Sequence, residues 1–204
     1  MVQVEKDANG GCSEVKVILA SSSPRRTQLL AQIGVEHEVV TPEADETFPV
    51  DFDPCQAVET LALRKARAVV QPGMQAWVIG ADTIVVKDGE IYGKPLDPSD
   101  AKRMLGALQG QRHEVVTGVA VLDANGQSRL GHRRVNVVMA PMSEDAVISY
   151  VQSGEPLDKA GAYSIQGVGA RFVERVEGDY YAVVGLPLAL TARFLTELGY
   201  EFPG

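Results

Sequence analysis

The sequence predicts an α/β protein with a mixed, twisted β-sheet flanked by helices. β-Branched apolar runs alternate along the chain with segments in which leucine and alanine recur at helical spacing. Short turn sequences such as Lys87–Glu90 and Asp123–Gly126 join neighbouring strand segments as hairpins. Hairpins give antiparallel pairs, whereas strands alternating with helices favour parallel ones. We therefore expect a mixed sheet rather than a purely doubly wound one.

The first half of the chain contains two strands, two helices and one long loop. Residues 15–19 form a β-branched apolar run, and 27–34 carries leucines at helical spacing that end at a glycine. Residues 36–41 alternate as a strand does, and 42–54 is an acidic loop bounded by prolines. Apolar residues then recur at helical spacing through 53–70, which is the second predicted helix.

The middle of the chain is predicted to contain two hairpins separated by a helix. Residues 77–86 are strongly β in character, and 91–94 forms the partner strand. The helix at 97–110 begins at Asp97 or Ser99 as the N-cap and ends at a glycine. Residues 113–122 and 128–139 form the second and longer hairpin.

The last third begins with a predicted helix at 143–153, whose first turn carries acidic residues that the helix dipole favours. A glycine-rich loop follows at 154–169. A third hairpin is predicted to turn at residues 177–179. The chain then ends in an amphipathic helix at 187–198.

Length and composition indicate one domain. The chain has 204 residues, 45% of them apolar, which is enough to bury a core. We expect residues 14–204 to form this domain and residues 1–13, which lack periodicity, to be a disordered lead. No apolar run is typical of a membrane span or a signal peptide, so we expect a cytoplasmic protein that does not bind membranes. Cys12 and Cys55 have no disulfide or zinc-site pattern and are expected to be free thiols.

The net charge of −8 restricts the possible partners. A protein that binds a nucleic-acid polymer usually has a broad basic face, so this class is disfavoured. Locally basic motifs in an acidic chain suit a small anionic ligand instead. The many carboxylates can also hold a divalent cation, which a triphosphate would bring with it.

The junction at residues 21–26 is the first candidate site, because a predicted strand ends where a helix begins. Ser23 takes the N-cap position and Pro24 the first helical position. Free backbone N–H groups and the positive end of the helix dipole meet there with Arg25, Arg26 and three serine hydroxyls. The pattern indicates an anion site, most simply for phosphate. The alternatives are a capped helix with two solvated arginines and a basic linear motif, although flanking structure disfavours the latter.

Asp82 is the second candidate, since a carboxylate in an apolar strand loses hydration unless a cation or hydrogen bonds meet it. Its functional interpretation is a metal ligand or a general base, and the alternative is an aspartate on an exposed face or bulge. Gly80 allows another group to approach the backbone closely. Thr83 offers a hydroxyl to the same ligand.

Several weaker candidates have ordinary structural alternatives. Glu43, Asp45 and Glu46 resemble an Mg²⁺ or Mn²⁺ site but also a solvated acidic loop. Lys65 lies among the apolar positions of its helix and would need an anionic partner there. Gln166 has an amide that can read a nucleobase edge or be merely solvated. Lys94 closes the first predicted hairpin, and Lys159 opens a loop whose glycines permit close approach of a ligand to the backbone. Surface charge is the alternative for each lysine.

Common nucleotide-binding and hydrolase motifs are absent from the sequence. It contains neither the Gly-x-x-x-x-Gly-Lys-Ser/Thr phosphate loop nor Gly-x-Gly-x-x-Gly after a strand. It also lacks the Gly-x-Ser-x-Gly nucleophile elbow. Any nucleotide site must therefore be built from other elements.

Seven short motifs nevertheless occur in a specific order: Ser21–Arg26, Asp45-Glu46, Leu63–Ala66, Gly80–Thr83, Gly93–Pro95, Asp158–Tyr163 and Val184–Pro187. This ordered set resembles the Maf family of nucleoside triphosphate pyrophosphatases and spans nearly all of residues 15–198. The resemblance implies a mixed α/β fold with a cleft between two lobes, related to the inosine-triphosphatase architecture. It also implies a homodimer that hydrolyses a nucleoside triphosphate to the monophosphate and pyrophosphate. The implied cofactor is a divalent cation, Mg²⁺, Mn²⁺ or Co²⁺.

The resemblance also implies residue roles, position by position. Asp82 matches the proton acceptor that activates water, and Glu46 with Asp82 matches the metal ligands. Arg26, Thr83 and Gln166 match positions that set base preference. The triphosphate would be held by Ser21, Arg25, Arg26, Lys65, Lys94 and Lys159.

Within the family, Gly80–Thr83, Asp158–Tyr163 and Ile165–Gly167 resemble the branch that acts on dTTP and UTP. Modified pyrimidine triphosphates are expected as further substrates. Two alternatives stay open: the branch that prefers 7-methyl-GTP, and a non-catalytic nucleotide sensor connected with cell division and septum formation. The acidic loop around residues 49–54 is a departure, because it is longer than is usual in the family.

Overall fold

The structure is a computed structural model that describes residues 4–6, 12–14, 16–47 and 53–203. Strands β1 (Val4–Lys6) and β2 (Cys12–Glu14) form a small antiparallel pair. The segment expected to be a disordered lead, residues 1–13, contains β1 and most of β2, and an Asn-Gly turn signal lies between these strands in the sequence. The rest of the 1–13 segment lies outside the described residues.

A seven-stranded sheet forms the centre of the molecule and confirms the mixed α/β class. Its strands follow the order β4-β3-β5-β7-β8-β9, and β6 pairs with β5 beside β3. The β4–β3 and β3–β5 pairs are parallel, and all other pairs in this sheet are antiparallel. The strands are β3 (Lys16–Ala20), β4 (Glu38–Val40), β5 (Ala76–Lys87), β6 (Glu90–Tyr92), β7 (Arg112–Leu122), β8 (Ser128–Met139) and β9 (Val173–Glu177).

Six α-helices connect and cover these strands, and three short 3-10 helices occupy the predicted glycine-rich loop. Asp97 is the N-cap of the third helix, where its side chain accepts a hydrogen bond from the backbone N–H of Asp100. The α-helices are α1 (Pro24–Gln32), α2 (Pro54–Ala68), α3 (Pro98–Leu108), α4 (Glu144–Gln152), α5 (Tyr180–Val184) and α6 (Leu188–Glu197). The 3-10 helices are Glu155–Asp158, Ala160–Ala162 and Gly167–Phe172.

The hairpin predicted at residues 177–179 is wrong. β9 pairs with β8, and the chain after it forms α5 instead of a second strand. Asp179 causes the difference, because its carboxylate accepts hydrogen bonds from the backbone N–H groups of Tyr181 and Ala182 and so caps a helix. This cap outweighs the β propensity of the Tyr-Tyr-Ala-Val-Val sequence that follows.

Helix α2 packs closely on one face of the sheet because two glycines on that face lack side chains. A methyl group at Gly80 would lie 2.1 Å from the carbonyl oxygen of Ala62. One at Gly118 would lie 2.5 Å from the carbonyl carbon of Val58. The expected close approach at Gly80 is therefore confirmed, and the approaching group is the backbone of α2.

The opposite face of the sheet is covered by two separate apolar clusters. The first cluster contains Ile79 and Ala81 of β5 together with residues of α1 and α6. The second contains Val85 of β5 together with residues of α3 and α4. Thr83 lies between them on the same face, since alternate residues of a strand share a face. The two clusters form the lobes of the domain, and the junction between them is polar.

The edge of β5 is unpaired between these lobes. β3 pairs with Ala76–Gly80, and β6 pairs with Val85–Lys87 on the same side. Neither strand pairs with residues 81–84, which include Asp82 and Thr83. The sheet thus leaves a gap in the middle of β5, at Asp82 and Thr83.

No helix in the described part of the chain combines the length and apolarity needed to span a bilayer. Cys55 is a free thiol, as expected. The side chain of Cys12 lies outside the described residues.

Candidate active site

A cleft of about 590 Å³ opens at the gap in β5. It brings together all ten residues to which the family resemblance assigns a role, whereas Glu43 and Asp45 are not in its wall. Five of the side chains that line it are cationic and three are carboxylates, so the cleft is locally positive although the chain is acidic overall. The predicted residues in its wall are Ser21, Arg25, Arg26, Glu46, Lys65, Asp82, Thr83, Lys94, Lys159 and Gln166.

The strand-to-helix junction forms one end of the cleft. β3 ends at Ala20 and α1 begins at Pro24, with Ser23 at the N-cap position as predicted. The side chain of Ser23 makes no capping hydrogen bond. Instead, Oγ of the buried Ser21 accepts hydrogen bonds from the backbone N–H of Ser23 at 3.1 Å and from Nη1 of Arg26 at 3.2 Å. No side chain among the described residues caps the N–H groups at the start of α1, and residues 23–26 line the cleft, so these groups can serve an anion there.

Arg26 is held in place rather than solvated. Besides Ser21, its guanidinium donates from Nε to the carbonyl of Gly185 at 2.8 Å and from Nη2 to Oγ1 of Thr83 at 3.2 Å. Burial lowers the pKa of Arg26, and the charge of Asp82 opposes this shift. The guanidinium stays protonated because its pKa starts so far above neutrality. Arg26 therefore places a fixed positive charge beside Thr83, at the junction between the two lobes.

Lys65 and Asp82 form a buried ion pair at the centre of the cleft. Nζ of Lys65 lies 2.6 Å from Oδ1 of Asp82, and each residue is less than a tenth exposed. The predicted inward direction of Lys65 is thus confirmed, and Asp82 does not lie on an exposed face. Oδ2 of Asp82 has no hydrogen-bond partner in the described part of the protein. That oxygen is available to a water or a ligand.

Glu46 contacts the same lysine, with Oε1 2.7 Å from Nζ. Partial burial opposes ionisation of Glu46, but the hydrogen bond and charge of Lys65, with the charges of Lys94 and Arg26, outweigh it. The pKa of Glu46 consequently lies below its ordinary value. The carboxylates of Glu46 and Asp82 therefore share the single ammonium group of Lys65.

The acidic loop does not supply a three-carboxylate metal site. No group of three or more potential metal ligands occurs among residues 4–6, 12–14, 16–47 and 53–203, so the cluster expected from Glu43, Asp45 and Glu46 is wrong. Asp45 instead accepts a hydrogen bond from the backbone of Thr47, which bends the loop so that Glu46 alone reaches the cleft. The neighbouring Arg64 fixes the loop to α2 through the carbonyls of Asp45 and Thr47.

Glu46 and Asp82 by themselves fit a cation that a substrate helps to hold. Mg²⁺ commonly binds proteins through one or two carboxylates and completes its shell with water and phosphate oxygens. Both carboxylates contact the same Lys65 ammonium, so they converge on one point. The donor set is oxygen only, as a hard cation prefers.

The loop with the 3-10 helices faces the strand-to-helix junction and adds Lys159 to the cationic end of the cleft. Nη1 of Arg25 lies 3.5 Å from Oδ2 of Asp158, and Lys159 contacts Asp158 as well as the carbonyl of Glu155. The Glu155 carboxylate orders this loop by accepting hydrogen bonds from the hydroxyl of Tyr150 and from the backbone of Val168 and Gly169. Sequence reasoning missed Glu155, because no periodicity or spacing distinguishes it from a solvated loop glutamate.

The remaining wall is largely apolar and suits a planar ring. Tyr163, Ile165 and Val184 line it together with Gln166, whose backbone N–H donates to Oγ of Ser164. Behind this wall, the hydroxyl of Tyr163 lies 2.7 Å from Nε2 of the buried His113. The side chain of Gln166 stays free to contact a ligand, since it has no hydrogen-bond partner in the part of the chain that the structure describes.

Thr117 is a further polar residue that sequence reasoning missed. It is fully buried on β7 directly opposite Thr83. Its Oγ1 donates to the carbonyl of Ala182 at 2.7 Å and lies 2.9 Å from Oγ1 of Thr83. A threonine inside the run Val-Val-Thr-Gly-Val is the signal that could have identified it, but threonine is common in strands.

Comparison with known proteins agrees with this site. Residues 16–198 match the family described as Maf-like protein. The dTTP/UTP pyrophosphatase of Symbiobacterium thermophilum is 50% identical over 185 residues, which are 91% of this chain and 95% of that protein. The dTTP/UTP pyrophosphatase of Geobacillus sp. is 47% identical over 185 residues, 91% of this chain and 99% of that one.

Similarity to solved structures is lower. The Staphylococcus aureus Ham1 protein matches 78% of this chain and 79% of its own at 14% identity with a TM-score of 0.47. A dITP/XTP pyrophosphatase from Mycobacterium abscessus matches 63% of this chain and 76% of its own at 19% identity with a TM-score of 0.40. The assignment rests on the sequence matches, which cover nine-tenths of the chain at up to 50% identity. This chain belongs to the Maf family.

Proposed function

We propose that this protein is a nucleoside triphosphate pyrophosphatase that hydrolyses dTTP and UTP to the monophosphate and pyrophosphate. The observation that carries the proposal is Asp82, a buried carboxylate with one oxygen on Lys65 and the other free, at the centre of a cationic cleft. A nucleotide fits this cleft because one end is cationic and the other is largely apolar. The relatives that bear the name dTTP/UTP pyrophosphatase support the choice of substrate.

In the proposed reaction, Oδ2 of Asp82 takes a proton from a water that attacks the α-phosphorus. Lys65 holds Oδ1 and so orients the carboxylate while keeping its free oxygen on the substrate side. The bond from the α-phosphorus to the bridging oxygen breaks, and pyrophosphate leaves. Arg25, Lys94 and Lys159 spread positive charge over the leaving group, and such preorganised charge is usually the largest contribution to catalysis.

Glu46 and Asp82 would hold the divalent cation that the family implies. When bound, such a cation lowers the pKa of a coordinated water and neutralises phosphate charge. Lys65 contacts both carboxylates, so it holds them close together before a nucleotide arrives.

Base preference is proposed to lie with Arg26, Thr83 and Gln166. Arg26 fixes Thr83 by a hydrogen bond, and the Gln166 amide can donate to or accept from a base edge. We also propose a homodimer in the cytoplasm, on the basis of the family resemblance alone.

A panel of triphosphates tests the proposal. UTP, dTTP, CTP, GTP and 7-methyl-GTP are each incubated with Mg²⁺, Mn²⁺ or Co²⁺, and pyrophosphate and orthophosphate are measured separately. We expect pyrophosphate as the primary product and the highest kcat/KM with UTP and dTTP. Orthophosphate as the primary product would refute attack at the α-phosphorus. Tight nucleotide binding without any product would instead indicate a sensor, and a preference for 7-methyl-GTP would indicate the other branch.

A further inference from the structure

We infer that Thr117 is a positioning residue for base selection: it fixes the hydroxyl of Thr83 as a hydrogen-bond acceptor toward the nucleobase. The inference rests on the proposed function, because it concerns which base the same cleft selects. Thr117 itself is fully buried and does not line the cleft. It can act on a nucleotide only through Thr83.

Thr83, Thr117 and the carbonyl of Ala182 form a series of two hydrogen bonds. The direction of both bonds follows from the chemistry of the carbonyl. The carbonyl of Ala182 can only accept, so the single hydroxyl proton of Thr117 is donated to it at 2.7 Å. Oγ1 of Thr117 must therefore accept in its 2.9 Å contact with Thr83. The hydroxyl proton of Thr83 consequently points away from the cleft.

Arg26 uses one of the two hydrogen-bond acceptor positions on the hydroxyl oxygen of Thr83. A guanidinium carries donors only, and Nη2 of Arg26 donates to Oγ1 of Thr83 at 3.2 Å. A hydroxyl oxygen has two lone pairs, so one stays available on the cleft side. Thr83 therefore presents an acceptor and no donor to a ligand.

A hydrogen-bond acceptor without a donor at Thr83 matches uracil and thymine. Their pairing edge has one donor, N3–H, between two carbonyl oxygens, whereas N3 of cytosine is an acceptor. An acceptor-only Thr83 pairs with N3–H and is left facing a lone pair when cytosine occupies the same position. A buried or half-buried polar group without its partner is the strongest basis for discrimination between similar ligands.

The architecture explains why this arrangement is stable. Helix α5 has only five residues, so the carbonyl of Ala182 lies in its last turn, where helix carbonyls lack intrahelical partners. Thr117 supplies that partner from the facing strand. The same contact thus caps α5 and orients Thr83 at the boundary between the two lobes.

Substitution of the buried hydroxyl tests the inference. In Thr117→Val the Thr83 hydroxyl loses its acceptor and can turn to donate to N3 of cytosine. We expect the ratio of kcat/KM for UTP to kcat/KM for CTP to fall at least about fivefold, mainly through a lower KM for CTP, because the variant can make one net hydrogen bond to cytosine that the wild type cannot make. Thr117→Ser keeps the hydroxyl and should retain the wild-type ratio.

Thr191→Val is the matched control. Thr191 is equally buried, and its Oγ1 donates to the carbonyl of Pro187 at 3.0 Å in α6, away from the cleft. Both valine variants should lose similar thermal stability, but only Thr117→Val should change the UTP-to-CTP ratio. If Thr117→Val does not fold, Thr117→Ala removes the same hydroxyl and is measured in its place.

The outcomes separate this inference from the proposed function. A wild-type enzyme that releases pyrophosphate from UTP, together with an unchanged ratio in the hydroxyl-deleted variant, would overturn the role of Thr117 alone. An equal change in Thr191→Val would also overturn it. Absence of pyrophosphate release by the wild type would overturn the proposed function itself.

Discussion

The ammonium of Lys65 lies 2.6 Å from the carboxylate of Asp82, although one residue is on α2 and the other on β5. Both side chains are nearly buried. Removing one member of a buried pair leaves an uncompensated charge, which costs more than the pair itself contributes. The two residues should therefore respond differently to substitution, since Asp82 also has a free oxygen for chemistry.

Asp82→Asn should abolish turnover while nucleotide binding stays measurable. The amide keeps the shape of the side chain but cannot accept the proton of an attacking water. General base catalysis of this kind usually raises the reaction rate by between about a hundredfold and ten-thousandfold. We expect pyrophosphate release from UTP to fall by about a thousandfold, and calorimetry to detect binding. Asp88→Asn, in the β5–β6 turn, is the matched control and should keep wild-type turnover. Near-normal turnover by Asp82→Asn would remove Asp82 from the mechanism.

Lys65→Met should destabilise the protein in a pH-dependent way. At neutral pH the variant leaves Glu46 and Asp82 facing one another without a cation, and breaking such a pair costs about 3 kcal/mol. The folded-state pKa of Glu46 lies below its ordinary value of 4.5. Its interaction with Lys65 therefore stabilises the fold above that value and is lost as pH falls through the lower, folded-state pKa.

The measurement for Lys65→Met is the free energy of unfolding in urea at several pH values. The difference from wild type should be largest near pH 7 and should shrink below about pH 4.5. Arg67→Met removes a positive charge from the exposed side of the same helix and should show no such trend. A difference for Lys65→Met that stays constant with pH would contradict the assignment.

Gly118→Ala should separate α2 from the sheet. A methyl group there would lie 2.5 Å from the backbone of Val58, which is too close for either backbone to accommodate without moving. We expect a loss of about 2–3 kcal/mol of stability, typical of overpacking, and a large loss of activity because Lys65 moves with the helix. Gly106→Ala is the control, since its methyl group meets nothing within 4 Å and helix propensity should give a gain of about 0.5–1 kcal/mol. Unchanged activity of Gly118→Ala would show that the Lys65–Asp82 geometry does not depend on this spacing.

His113 should make the fold less stable in mild acid. Burial, with a smaller contribution from the charge of Lys87, lowers the pKa of His113 to about 4. The unfolded chain therefore binds a proton at this histidine below about pH 6.5 that the folded chain does not bind, so stability falls as pH decreases. Between pH 7 and 5 we expect the free energy of unfolding of the wild type to fall by about 2 kcal/mol because of His113. His113→Gln should flatten the dependence, and an unchanged slope would show that another group causes it.

The order of elements was largely predictable, because turn residues and apolar periodicity act locally. The β8 strand matches its predicted limits, and Ser143 caps α4 where the sequence places the start of that helix. The position of Lys65 was also predictable, since a lysine among inward-facing helix positions needs an anion. The convergence on one cleft of the ten residues to which the resemblance assigns a role follows from motifs that it already grouped.

Other features depend on tertiary contacts that no local pattern reports. Helix α5 has a strand-like sequence and becomes helical through the Asp179 cap. The contact of Glu46 with Lys65 depends on how the acidic loop bends at Asp45, and composition alone suggested a three-carboxylate cluster. Thr117 acquires its role from the β5–β7 register, which places it opposite Thr83.

The unpaired edge of β5 has a mechanical consequence. The two lobes are joined across the gap by the β5–β7 pair, because β3 and β6 stop on either side of residues 81–84. Helix α2 supports the same stretch from behind, through its contacts at Gly80 and Gly118. A substitution that shifts β5 within residues 81–84 would therefore displace the Asp82 carboxylate and widen or narrow the cleft at the same time.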